Sequence, residues 1–102
     1  MENVTLTTKA NVYFDGKAVS HSFTTAEGVS KSAGVVIGPD AELTFGTQAA
    51  EIMECVAGAC EYKLKDTDTW VAVKEGESFN IDANFSFDIK VKDQFHYVCH
   101  YA

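Results

Sequence analysis

The sequence predicts an all-β fold, a sandwich or barrel forming a single domain over residues 1–102. Side chains alternate with period two along several stretches, and turn residues recur about every ten positions. A chain of 102 residues also has room for one core but not two. Its hydrophobic content of 46% and aromatic content of 12% supply a packed interior and exclude a disordered tail.

From the N-terminus, residues 1–10 are expected to form a strand or a loosely ordered arm. The start, 1-MENVTLTTKAN-11, has neither a basic front nor an apolar core and does not read as a signal peptide. Turn signals follow at Gly16, Gly28 and Gly38-Pro39-Asp40. Between the first two, Val19, His21 and Phe23 share a face that can be interior.

The segment 47-TQAAEIMEC-55 holds good helix formers, and a short helix competes there. Gly58 and the alternation after it favour a hairpin instead, with Ala57-Gly58 as a two-residue turn. That register sets Cys55 directly opposite Cys60. On the outgoing strand Cys60, Tyr62 and Leu64 face one way, while Glu61, Lys63 and Lys65 face solvent. Cross-strand pairing then turns Cys55, Met53 and Glu51 inward. A carboxylate on an interior face needs partners or a proton, because burying an unpaired charge is costly.

Further turns are marked by Asp66 to Asp68 and by Glu75-Gly76-Glu77. In 85-FSFDIKV-91 the residues Phe85, Phe87, Ile89 and Val91 form one face, and Ser86, Asp88 and Lys90 the other. In 95-FHYVCHY-101 Phe95, Tyr97, Cys99 and Tyr101 face inward, which leaves His96 and His100 outside.

Charge and cysteines narrow the function. Fifteen acids against 8 bases leave a net charge of −7, and all 8 bases are lysines. Binding to nucleic acid through its phosphates is therefore not expected, and the bidentate arginine clamp for phosphate is missing. No apolar run approaches the roughly 18 residues of a membrane span. Three cysteines, an odd count, argue against a disulfide scaffold and for a reducing cytoplasm.

Within 42-ELTFGTQAAEIMECVAGACEYKL-64, Glu51 is followed by six residues and then Gly58. This resembles the second half of the first cupin motif, and 76-GESFNIDANFSF-87 has the spacing of the second. The resemblance implies a cupin-type double-stranded β-helix, a jelly-roll barrel whose interior commonly carries a metal on three histidines and a glutamate. Here the histidine positions map by spacing to Phe45, Thr47 and Phe87. The Pro and Gly of the second motif are Asp82 and Asn84. Only Glu51 remains as a donor, so no metal site is expected.

Together with 11-NVYFDGK-17, 32-SAGVV-36 and 97-YVCHY-101, these segments are similar to the small cupins of the pyrimidine/purine nucleoside phosphorylase family, from about Asn11 to the C-terminus. That resemblance implies phosphorolysis of diverse nucleosides to free base and ribose 1-phosphate. It also implies inorganic phosphate as the co-substrate and no cofactor. On this reading Glu51 is the catalytic candidate. Phe45, Phe87, Tyr62 and Tyr97 are the candidate walls for a substrate, while Thr47 and Lys17 are candidates for the phosphate. Apolar residues left on outward faces, such as Ile52 and Val56, point to a homodimer. A non-catalytic sensor cupin that binds a base, sugar or acid is the alternative, and a sugar isomerase a further one.

Overall fold

Residues 3–101 are described by a computed structural model. In chain order the strands are β1 (Thr5–Leu6), β2 (Asn11–Tyr13), β3 (Ala18–Thr24), β4 (Ser30–Ile37), β5 (Ala41–Gly46), β6 (Glu51–Leu64), β7 (Val71–Lys74), β8 (Ser78–Ile81), β9 (Ser86–Val91) and β10 (Gln94–Tyr101). A single 3-10 turn, Phe14–Gly16, separates β2 from β3. The part of the N-terminal arm at residues 1 and 2 lies outside the described residues, but Thr5 and Leu6 pair with Thr24 and Phe23. No helix among the described residues is long and apolar enough to cross a membrane.

The strands form two curled sheets joined by β6, which belongs to both. Its first half, from Glu51, lies between β10 and β8. Its second half, to Leu64, lies between β9 and β7. The first sheet continues from β10 through β4 to β3, whose free edge carries β1 and β2. The second ends with β5 on β9. Apolar side chains between the sheets make the core. Phe87, Ile89, Val91 and Phe95 are all but completely buried, as the alternation of their segments predicts.

The expected hairpin at Ala57-Gly58 is corrected, and so is the helix that competed with it. Residues 51–64 are one continuous strand. Cys55 lies opposite Tyr97, Cys60 lies opposite Val73, and both thiols are free. The pairing with β10 runs Tyr97 to Cys55 but His96 to Ala57, so Val56 is an extra residue and the strand carries a β-bulge. One inserted residue reverses the side-chain parity. That is why the odd positions Met53 and Cys55 are buried before the bulge and the even position Cys60 after it. The inward direction of Glu51 survives, on a different physical basis. Gly58, at φ +76°, sits in the bulge because a side chain there would meet the backbone carbonyl of Gln94.

Of the face of Val19, His21 and Phe23, Phe23 is buried as expected, while Val19 and His21 are only half-buried and their inward placement is corrected. Ala18 and Ser20 face inward in their place, and the Nδ1 of His21, on the opposite face, contacts the Thr7 carbonyl at 3.1 Å. His100 lies on the outer face, as its segment predicts. The Lys31 ammonium, which can only donate, reaches its Nδ1 at 2.8 Å, so Nε2 donates to Glu54 at 2.8 Å.

Candidate active site

Between the sheets lies a cavity of about 280 Å³. Its lining comes from β4, β5, β6, β9 and β10, with β3 contributing Ser20, and from the segment Tyr13–Phe14 at the mouth. Glu51, the first residue of β6, lines it together with Met53, two positions on along the same inward row. Phe45 and Phe87 face each other across β5 and β9, Tyr97 comes from the middle of β10, and all three line the same space.

Burial raises the pKa of the Glu51 carboxyl above its ordinary 4.5, and a hydrogen bond from the Cys99 thiol partly opposes this. Burial first, and then the neighbouring carboxylate, push the Cys99 thiol up to about 12. It is thus a hydrogen-bond donor rather than a nucleophile. The chain of contacts continues outward, where Ser32 Oγ and Tyr101 Oη lie 3.0 Å apart. Burial likewise raises Tyr97 to about 12, against a hydrogen bond from the Ser20 hydroxyl. Gly34 makes this possible, since a Cβ there would stand 2.8 Å from the Tyr97 hydroxyl and 2.6 Å from the Val19 carbonyl. The stretch 32-SAGVV-36 therefore serves the site through the bareness of its glycine and the hydroxyl of its serine.

The aromatic wall is a sequence of contacts rather than one surface. Phe14 meets Phe45 edge-on at 5.3 Å, and Phe45 stacks on Phe87 at 5.7 Å. Phe87 then meets Phe79 edge-on at 5.8 Å, and Phe79 stacks on Tyr62 at 4.1 Å.

Three candidates lie elsewhere. Tyr62 is at the far end of this series, packed against the core and shielded from the cavity by Phe79. Thr47 is used up locally: its hydroxyl donates to the Asp82 carbonyl at 2.6 Å and accepts from the Phe85 amide at 3.0 Å. This fastens the β5–β6 turn to the loop before β9. In that loop Asn84, at φ +52°, fills a left-handed position that asparagine tolerates. Lys17 is exposed, follows the 3-10 turn and does not line the cavity.

The residues that sequence reasoning missed are Tyr13, Phe14, Ser20, Ser32, Tyr101 and the donor Cys99. Most lie inside stretches already quoted for their resemblance, and alternation had turned Cys99 inward. Ser20 had no signal, because a serine in a strand reads as outward. No lysine or histidine among the described residues lines the cavity. Among the described residues no group of three or more His, Cys, Asp or Glu is placed to hold a metal ion.

Two curled sheets sharing one strand, with a carboxyl group in the cavity between them, define a small cupin-type barrel. The fold is that of a cupin superfamily protein from Desulfitobacterium hafniense, at a TM-score of 0.65 and 10% identity over 91% of this chain and 82% of that one. The sequence pattern described as pyrimidine/purine nucleoside phosphorylase matches residues 8–101, and the chain belongs to that family. A pyrimidine/purine nucleoside phosphorylase of Delftia acidovorans is 63% identical, over 100% of this chain and 95% of the relative. One of Ralstonia pickettii is 62% identical, over 99% and 94%. A solved structure of a protein of unknown function from Acinetobacter sp. ADP1 superposes at a TM-score of 0.96 with 34% identity, covering 100% of this chain and 97% of that one.

Proposed function

We propose that this chain phosphorolyses pyrimidine and purine nucleosides to free base and ribose 1-phosphate, a pentosyl transfer to phosphate carried out without a metal ion. Membership of the family supports the reaction class. The observation that carries the mechanism is the Glu51 carboxyl inside a cavity walled by Phe45 and Phe87. Cleavage of an N-glycosidic bond passes through a sugar with oxocarbenium character, which a nearby carboxylate stabilises. The Cys99 thiol favours the charged form by donating to it.

In the proposed step an oxygen of hydrogen phosphate bonds to C1′ while the C1′–N bond breaks. The bonding pair leaves with the base, and the proton carried by the phosphate ends on the base nitrogen. With no cationic side chain in the lining among the described residues, phosphate is held by hydroxyls and backbone N–H groups at the site, Ser20, Ser32 and Tyr101 being among the hydroxyls that line it.

The test is release of base from inosine or uridine with and without phosphate. Release that requires phosphate is the expected result. Phosphate-independent release, or inosine binding with no turnover, favours the sensor alternative. We further place the protein in the reducing cytoplasm, where three buried free cysteines are stable. As a homodimer it would cover Ile52 and Val56, which are 45% and 43% exposed. A monomer mass by light scattering at working concentration would reject the dimer.

A further inference from the structure

Phe14 is in an uncommon state for a large aromatic residue. It has φ +52°, and the next residue, Asp15, has φ +55°, so two successive non-glycine residues occupy the left-handed region. Such backbone is costly for a bulky residue and persists where its surroundings hold it. Core packing does not account for it, because Phe14 remains 42% exposed. Its neighbour Tyr13 is 45% exposed, and both residues line the cavity. The turn itself is lightly held, by a Lys17 amide bond to the Phe14 carbonyl at 3.2 Å and by the three-residue edge strand β2.

Size gives this arrangement a purpose. At about 280 Å³ the cavity is at the small end of ligand sites, and Phe14 is part of its lining. With the ribose at Glu51, the base is left at the mouth, where Phe14 stands edge-on to Phe45. We propose that Phe14 is the base-binding residue, its ring taking the nucleobase face-on at the cavity mouth while the sugar occupies the interior. This rests on the phosphorylase reading and deepens it. A base held by stacking on a half-exposed ring at the cavity mouth, instead of being enclosed by shape-matched walls, accounts for acceptance of both one-ring and two-ring bases, since every base offers a π-face.

The experiment compares wild-type protein with Phe14→Ala, Phe14→Leu and Phe14→Trp in steady-state assays with inosine, uridine and phosphate each varied. Loss of one base–aromatic stack corresponds to a rise of roughly 5- to 150-fold in nucleoside KM. That rise is expected in Phe14→Ala and also in Phe14→Leu, which keeps apolar volume. The phosphate KM and kcat are expected to stay near wild type, and Phe14→Trp to restore tight use of nucleoside. An unchanged nucleoside KM in Phe14→Ala, or a Phe14→Leu variant equal to wild type, overturns the proposal. Calorimetric binding of inosine without phosphate separates the two readings. If wild-type protein fails to turn over but binds inosine, the phosphorylase reading falls, and equal binding by Phe14→Ala and wild type overturns the role of Phe14 as well. Weaker binding by the variant supports it.

Discussion

Glu51→Gln is expected to lower kcat/KM for phosphorolysis roughly 10²- to 10⁴-fold while leaving the fold intact. Glutamine keeps the shape and can still accept a hydrogen bond from Cys99, so the loss isolates the negative charge. The same substitution is expected to raise the melting temperature at neutral pH. Burial raises the folded-state pKa of Glu51 above its ordinary 4.5, so the folded protein binds that proton more tightly than the unfolded chain does. The stability from this group is therefore fully present below the unfolded value and is lost as pH rises through the folded one. Above both, the ionised carboxyl burdens the fold, and glutamine carries no such burden. Melting curves of the two proteins should differ at pH 7–8 and converge below pH 4.5. A variant with wild-type kcat/KM, or one that melts lower than wild type at pH 7–8, would count against a strained functional carboxylate.

Gly58→Ala is expected to be the most destabilising single-methyl change in the chain, at roughly 3 kcal/mol or more. Two costs combine. Its φ of +76° is unfavourable for any residue with a Cβ. In addition, the added carbon would overlap the Gln94 carbonyl oxygen and lie 3.0 Å from its carbon and 3.5 Å from the Phe95 Cα. These are backbone atoms of β10, which cannot swing aside, so the bulge between β6 and β10 must open. Gly76 separates the two costs, since it has φ +89° with nothing within 4 Å of a built Cβ. Gly76→Ala should lose only about 1 kcal/mol. Urea unfolding of both variants measures the difference. Equal midpoints would mean that the close approach at Gly58 is relaxed without effect. Because this bulge sets which residues of β6 face inward, Gly58→Ala should also lose activity along with stability.

The same bulge shows where sequence reading succeeds and where it stops. Alternation alone placed Phe87, Ile89, Val91, Phe95 and Cys99 on inward faces, because a half-buried strand enforces period two. A glycine between two alternating runs, however, signals either a turn or a bulge, and both accept a positive φ. Local pattern does not distinguish them, because the deciding partner, β10, lies about 40 residues downstream. Glu51 was turned inward correctly because both structures reverse the parity between Cys55 and Cys60.

The rest of the site was less legible. Spacing identifies backbone positions, so it located Phe45, Phe87 and Thr47 but could not tell that the Thr47 hydroxyl bonds to the adjoining loop. Ser20 and Ser32 are buried although serine reads as a surface residue, and their partners Tyr97 and Tyr101 lie on β10, far along the chain. Tyr62 was inward as expected but lies behind Phe79, a depth along the barrel that period two does not encode.

Everything in the mechanism depends on one carboxyl group meeting a nucleoside inside the barrel. The direct measurement is a pH titration of the Glu51 side-chain carboxyl carbon by nuclear magnetic resonance, free and with inosine. The expected result is a midpoint above 4.5 that moves when inosine is added. An ordinary midpoint, indifferent to the nucleoside, would contradict it.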